Sequence, residues 1–260
     1  MSRTHVITGA ASGIGKSTAE LLTQRGDRVI GVDLRGADVN VDLSTPEGRS
    51  ELVDRVTDLS DGVIDTIIAN AGLATPTATT VAVNFFGTVA TLTGLRHLLA
   101  ASSAPRAVAT ASMASLFPPD DALLEALTAE DEPRAMERAS ELEAAGGDAA
   151  SQIYGTTKRA LARWIRRNAI TPDWAGAGIP LNAIAPGVVK TPMTEAFTGT
   201  EEARTAILKT VPMPLNGIFE PRDAAYLLAW LVSTENAHLC GQVIFIDGGS
   251  DAVIRGDSTW

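Results

Sequence analysis

Cysteine is all but missing: Cys240 stands alone in a chain of 260 residues. One thiol cannot close an internal disulfide, so a disulfide-stapled extracellular fold is excluded and a reducing, cytoplasmic setting is expected. Cys240 itself reads as a small core filler, the usual fate of a free thiol. Histidine is scarce as well. His5, His97 and His238 stand far apart, at no metal-ligand spacing, and no metal is expected. Positive charge is short, with 21 Lys and Arg against 31 Asp and Glu and a net charge of −10. Nucleic-acid binding needs basic stripes, so a nucleic-acid partner is excluded. No unbroken apolar run approaches the ~18 residues of a membrane span, and no membrane association is expected. Residues 1–8 pass directly into an apolar strand pattern, so no signal peptide is expected.

What is present suits a large core. Hydrophobic residues make up 45% and charged residues 20%, the balance of a globular protein. The length fits one α/β domain over 1–260. Short β-branched runs alternate with amphipathic stretches, as in βαβ units. Strands are predicted at 5–8, 28–32, 66–69, 107–112, 180–184 and 243–246. Helices are predicted at 15–24, 46–59, 80–101, 152–170 and 221–232, with Leu92, Leu95, Leu98 and Leu99 on one helix face. The strands are apolar without clean alternation, which predicts a parallel sheet covered on both faces. Residues 117–147 break the pattern. Leu123, Leu124, Leu127, Met136, Ala139 and Leu142 recur there at helical spacing, which predicts a helical hairpin inserted on the surface of the domain.

The first strand runs into Thr8-Gly9-Ala10-Ala11-Ser12-Gly13-Ile14-Gly15 and then a helix. Glycines let the chain turn tightly and bring backbone N–H groups against a pyrophosphate, at a helix N-terminus that carries partial positive charge. The run Ala10 to Lys16-Ser17 nearly spells a nucleotide-triphosphatase loop, but Ala10 replaces its first glycine. Asp33 closes the second strand about 20 positions on, where a carboxylate accepts from a ribose diol and repels a 2′-phosphate. The expected cofactor is therefore NAD rather than NADP, with Arg35 close enough to soften the preference.

Tyr154 and Lys158 lie four positions apart, on one face of a predicted helix. A free tyrosine, with a pKa of about 10, is a poor base near neutrality. A neighbouring ammonium and a positive nicotinamide both favour phenolate, so Tyr154 is expected to have a lowered pKa. Alone, such a pair is common on helix surfaces. Its company matters: Ser112 closes the fourth strand, Asn70-Ala71-Gly72 follows the third, and Pro186-Gly187 follows the fifth with Thr191 beyond. Asn84 begins the long helix, where an amide can interrupt a turn and hold a water. All sit at the carboxyl ends of strands, where open α/β sheets bind ligands.

These residues resemble the short-chain dehydrogenase/reductases over nearly the whole chain. The matching motifs are Thr8-Gly9-x3-Gly13-x-Gly15, Asp42-Leu43, Asn70-Ala71-Gly72, Asn84, Ser112, Tyr154-x3-Lys158, Pro186-Gly187 and Asp247-Gly248-Gly249. The resemblance implies a doubly wound, parallel-stranded Rossmann sheet with helices on both faces. It implies Tyr154 as general acid/base, Ser112 as hydrogen-bond donor to the carbonyl, Lys158 as ribose ligand and Asn84 in a proton relay. For the cofactor it implies Gly9, Ser12, Gly13, Ile14, Gly15, Asp33, Leu34, Asn70, Ala71, Gly72, Tyr154, Lys158, Pro186 and Gly187. Asp42 and Leu43 would flank adenine, and the main chain near Val189 and Thr191 would face the carboxamide. Asn70 and Asn84 stand closer together than in most members, and Ser112 and Tyr154 farther apart. Both departures, and the tail from Asp247 to Arg255, resemble the bacterial 3α-hydroxysteroid dehydrogenase/carbonyl reductase group.

Residues 188–215 lie where relatives carry a substrate loop. Met193 and Phe197 there, with Met113, Ala114 and Phe117 beyond the catalytic strand, are the candidate substrate walls. Apolar walls favour a hydrophobic alcohol or ketone such as a steroid. A terpene alcohol, diol or xenobiotic carbonyl is the alternative, and a non-catalytic dinucleotide sensor is the contrary reading. A homo-oligomer, dimer or tetramer, is expected. The inserted hairpin obstructs the helix-bundle interface of many relatives, which favours a dimer through helix 221–232 and the last strand.

Overall fold

The computed structural model describes residues 2–258; Met1, at the head of the 1–8 run, lies outside the described residues. From the amino end come β1 (Thr4–Thr8), α1 (Gly13–Gln24), β2 (Arg28–Asp33), β3 (Val39–Asn40), α2 (Pro46–Ser60) and β4 (Thr66–Ala69). A long helix follows in pieces: α3 (Ala78–Val81), a π-helical turn (Ala82–Gly87), α4 (Thr88–Leu95) and a 3-10 turn (Arg96–Leu99). Next are β5 (Arg106–Thr110), a second 3-10 turn (Met113–Leu116), α5 (Asp121–Thr128), α6 (Glu132–Ala145) and α7 (Gly147–Asn168). The remainder holds β6 (Leu181–Pro186), α8 (Glu195–Thr198), α9 (Glu201–Thr210), α10 (Pro221–Leu231), β7 (Val243–Ile246) and α11 (Ser250–Arg255).

The strands form one sheet in the order β3-β2-β1-β4-β5-β6-β7, every neighbouring pair parallel. The order reverses between β1 and β4, so the loops leaving them diverge and open a crevice at their carboxyl ends. Successive strand residues face opposite sides. Val6, Ile67, Ala107 and Ala183 join one core with Leu52, Leu92 and Leu161 of α2, α4 and α7. Ile7, Ile68, Val108 and Ile184 join the other with Leu21 of α1 and Leu228 of α10. Two covered faces account for the unbroken apolar strands. β3 has no counterpart among the predicted strands because its two residues sit in a run of small and polar side chains.

The helix predicted over 80–101 starts at residue 78 and is not regular. By length and composition, residues 78–99 could cross a bilayer, with an 18-residue window of mean hydropathy 1.3, but 67% of that window is buried inside the fold. Leu92, Leu95, Leu98 and Leu99 are all buried against the sheet.

The 117–147 insertion is a helical hairpin, α5 and α6, packed on α7. Asp120 accepts the Leu123 N–H at 2.8 Å and Asp131 accepts the Arg134 N–H at 3.1 Å, which starts the two helices. Arg138 forks onto the Asp120 carboxylate at 3.1 and 2.7 Å. Leu123, Leu127, Ala139 and Leu142 are buried, so the hairpin shares the main core. Gly146 and Gly147, with φ of +67° and +53°, swing the chain into α7. That helix starts at 147, earlier than the predicted 152, because Asp148-Ala149-Ala150 continue it rather than forming a loop.

Candidate active site

Glycine shapes the first wall. Gly9 and Gly13 take φ of +72° and +52°, and a Cβ on Gly15 would sit 2.0 Å from the Gly9 carbonyl oxygen. Only hydrogen fits at Gly15, and that is what lets α1 begin directly against the loop. Asn70 anchors the same region. Its N–H and that of Ala71 donate to Thr8 Oγ1 at 3.0 and 3.1 Å, while its Oδ1 accepts from Thr110 Oγ1 at 2.9 Å. The carboxyl ends of β1, β4 and β5 are thereby tied together.

Asp33 ends β2 and reaches back to this loop. One carboxylate oxygen accepts the Ala11 N–H at 2.9 Å and the other the Leu34 N–H at 2.7 Å. Each oxygen keeps a further lone pair for a ligand. Arg35 is exposed and off the cavity wall. Asp42 Oδ1 accepts both the N–H and the hydroxyl of Ser44, at 2.9 and 2.6 Å. Those two bonds hold its carboxyl below the usual carboxylate range.

The opposite wall comes from β5 and α7. Ser112 lies just past the strand end rather than inside it, and its Oγ accepts the Ala114 N–H at 3.1 Å. Lys158 Nζ donates to the Thr110 carbonyl at 2.8 Å and stands 5.8 Å from the centre of the Tyr154 ring. Among the described residues it has no carboxylate partner, and burial lowers its pKa from 10.5 to about 8. Burial pushes the Tyr154 phenol up, and the neighbouring Ser112 hydroxyl only partly offsets this. Among the protein's own groups, then, burial outweighs the lowering expected from Lys158; the nicotinamide charge in that expectation is a separate contribution. The reason is that Lys158 aims its ammonium at Thr110 and shares the same desolvation.

A cavity of about 460 Å³ joins the two walls. Gly9, Ser12, Gly13, Ile14, Asp33, Leu34, Asp42, Leu43, Asn70, Ala71 and Gly72 line one end of it. Ser112, Tyr154, Lys158, Pro186, Gly187, Val189, Thr191 and Met193 line the other. A Cβ on Gly72 would stand 3.5 Å from Lys158 Nζ, which shows how closely the two ends meet. Thr191 and Thr194 close a capping box whose 3-10 turn carries Met193 to the rim.

Six expected site residues are not on that wall. Gly15 is buried beneath the loop it supports. Asn84 is fully buried in the π-helical turn, its Oδ1 accepting from Leu73 N–H at 2.7 Å and its Nδ2 donating to Leu73 O at 2.9 Å. The interrupted helix turn is present, but the amide holds main chain. Met113 and Ala114 turn inward and pack with Val188, Val211 and Met213, with Phe117 on the edge of that cluster. Phe197, on α8, is 48% exposed and away from the cavity. Conversely, Val41, Ser44, Leu73, Thr79, Val83, Thr110, Ala111, Pro192 and Thr194 line it unforeseen. Position beside a named motif residue was the available signal for most of them, Val83 beside Asn84 included; Thr79 carried none. No group of three or more potential metal ligands occurs among the described residues.

Two family models match the chain: "short chain dehydrogenase" over residues 3–122 and "Enoyl-(Acyl carrier protein) reductase" over 135–251. The 3-alpha-hydroxysteroid dehydrogenase/carbonyl reductase of Comamonas testosteroni is 35% identical, over 96% of this chain and 97% of its own. The cis-4-hydroxycyclohexanecarboxylate dehydrogenase of Sinomonas cyclohexanicum is 29% identical, over 96% and 97%. Among solved structures, the 3-alpha-hydroxysteroid dehydrogenase of Pseudomonas sp. B-0831 complexed with NADH superposes with a TM-score of 0.86 at 38% identity, covering 98% of this chain and 99% of that one.

Proposed function

The chain belongs to the short-chain dehydrogenase/reductase family, and from that premise we propose that it interconverts a hydrophobic secondary alcohol and its ketone with NAD. The carrying observation is that Ser112, Tyr154 and Lys158 meet in one cavity with the glycine loop, Asp33 and Asp42. Nicotinamide supplies the hydride carrier and, when oxidised, one positive charge. Tyr154 takes the proton from the alcohol oxygen or returns it to the ketone, and Ser112 donates a hydrogen bond to that oxygen. Lys158 holds the nicotinamide ribose. With the Lys158 ammonium held at the Thr110 carbonyl, the cofactor's charge is the stronger pull on the phenol. Asn84 acts at one remove, by pinning Leu73 on the wall.

For the substrate, the names of two relatives point to ring alcohols, a hydroxysteroid and a hydroxycyclohexane. Met193, Val189 and Pro192 offer the apolar rim such a ring would need. The reading is therefore an alicyclic, 3α-hydroxysteroid-like alcohol. It is tested by NADH formation with 3α- and 3β-hydroxysteroids, terpenols and cyclohexanols, run in parallel with NAD and NADP. Turnover confined to NADP would sink the cofactor assignment. Asp33→Ala is expected to cut the preference for NAD over NADP by about tenfold or more, since it removes an acceptor for the diol and the repulsion of a 2′-phosphate. An unchanged ratio means another residue reads the ribose.

Assembly through α10 and β7 belongs to the same proposal. Tyr226 and Trp230 on α10 are 51% and 41% exposed, and β7 is a sheet edge. Light scattering is expected to give a multiple of the 27.1 kDa chain, falling to the single-chain mass in Trp230→Glu. A wild-type monomer contradicts the arrangement.

A further inference from the structure

The turn Asp42-Leu43-Ser44 has no regular partner strand, yet it is held from three sides. A Cβ on Gly48 would lie 2.0 Å from the Asp42 carbonyl oxygen, and one on Gly87 would lie 3.0 Å from that of Leu43. The third contact is Arg49, buried at the start of α2. Its Nε donates to Leu43 O at 2.9 Å and its Nη2 to Ser44 O at 3.3 Å and Ala82 O at 3.2 Å. The same guanidinium meets the Glu132 carboxylate with two bonds of 2.8 Å. A fork of this kind fixes the plane of the arginine as well as its charge.

Glu132 opens α6 of the inserted hairpin. Near the far end of that helix, Glu143 accepts the Ala78 N–H at 2.7 Å, at the first residue of α3. The two glutamates are about three helical turns apart and so share a face. One grips, through Arg49, the main chain of Leu43, Ser44 and Ala82. The other grips the helix that carries Thr79 and leads into Val83. Leu43, Ser44, Thr79 and Val83 all line the cavity, and Leu43 is one of the two residues expected to flank adenine.

We propose that the inserted hairpin braces the adenine end of the dinucleotide site, with Glu132, acting through Arg49, and Glu143 as positioning residues. The inference rests on the dinucleotide reading given under the proposed function. It gives the insertion a role within its own subunit, because both carboxylates lie off the cavity wall and bond Arg49 and Ala78, which are tied in turn to the residues that shape it.

The test is isothermal titration calorimetry of NADH and of ADP-ribose with the full-length protein and its Glu132→Ala, Glu132→Gln and Glu143→Ala variants. Melting temperature and kcat at saturating NAD are measured alongside. Glu132→Ala is expected to raise Kd for both ligands by the same factor, about three- to tenfold. Glu132→Gln, which keeps one acceptor, raises it less, and kcat at saturation stays at the wild-type value. A lowered melting temperature with unchanged Kd overturns the proposal, since the contact would then be structural alone. So does a loss for NADH that ADP-ribose does not share. Wild-type protein that binds neither ligand would instead overturn the dinucleotide reading itself.

Discussion

Tyr154→Phe is expected to lower kcat by about three orders of magnitude, in alcohol oxidation and in ketone reduction alike, while NADH binds almost as tightly as before. The substitution removes one oxygen and leaves the ring that lines the cavity and faces Lys158 at 5.8 Å. The loss should therefore fall on kcat rather than on binding. The pH dependence separates this from a packing defect. Burial pushes the phenol up, so phenolate is scarce at neutral pH and oxidation by wild-type enzyme should accelerate as pH rises toward the alkaline range. Ketone reduction needs the protonated phenol and should slow over the same range. In Tyr154→Phe the residual rate should lose both slopes. Residual activity above about a tenth of wild type, still following the same profile, would mean that a different group moves the proton.

The parts of this site that were legible in the sequence are those where chemistry dictates the residue type at a fixed place in the fold. Gly9, Gly13 and Gly15 follow β1, Asp33 ends β2, Asn70 follows β4, and Tyr154 and Lys158 share one face of α7. Each is specified by local spacing plus one strand end, and all but Gly15 line the cavity. What stayed hidden depends on direction or on long-range packing. Met113 and Ala114 are adjacent to Ser112 but turn into the apolar cluster with Val188 and Met213, since a 3-10 turn rotates them away from the strand end. Phe197 sits in the substrate segment, yet on the outer side of α8. The Arg49–Glu132 pair joins positions 83 apart, with nothing in either neighbourhood to announce the other. The direction of the tyrosine shift was unreadable for a related reason: spacing puts Lys158 beside Tyr154, but only the fold sends its ammonium to Thr110.

Lys158→Met is expected to cost most of the activity and yet make the protein more stable. Lys158 is 3% exposed, has no carboxylate partner among the described residues, and titrates at about 8 instead of 10.5. Lowering by that amount corresponds to roughly 3 kcal/mol of penalty on the charged form. The sign follows from proton binding. Below about 8 the folded and unfolded chains both carry the proton, and the whole penalty stands. Between about 8 and 10.5 the folded chain releases it first, so the penalty shrinks, and above 10.5 it is gone. Methionine fills a similar volume without charge, but it abandons the 2.8 Å bond to the buried Thr110 carbonyl, at a cost of about 1 kcal/mol. The net gain at pH 7 should be about 1–2 kcal/mol, seen as a melting temperature higher by about 3–6 °C. The gain should fade when the melt is repeated at rising pH. Catalysis moves the other way: without the ammonium the ribose loses a ligand and the site a positive charge, and kcat/KM should fall by about two orders of magnitude. A variant that melts below wild type at every pH would show that the Thr110 bond outweighs the buried charge. In that case Lys158 would be a structural strut as well as a working group.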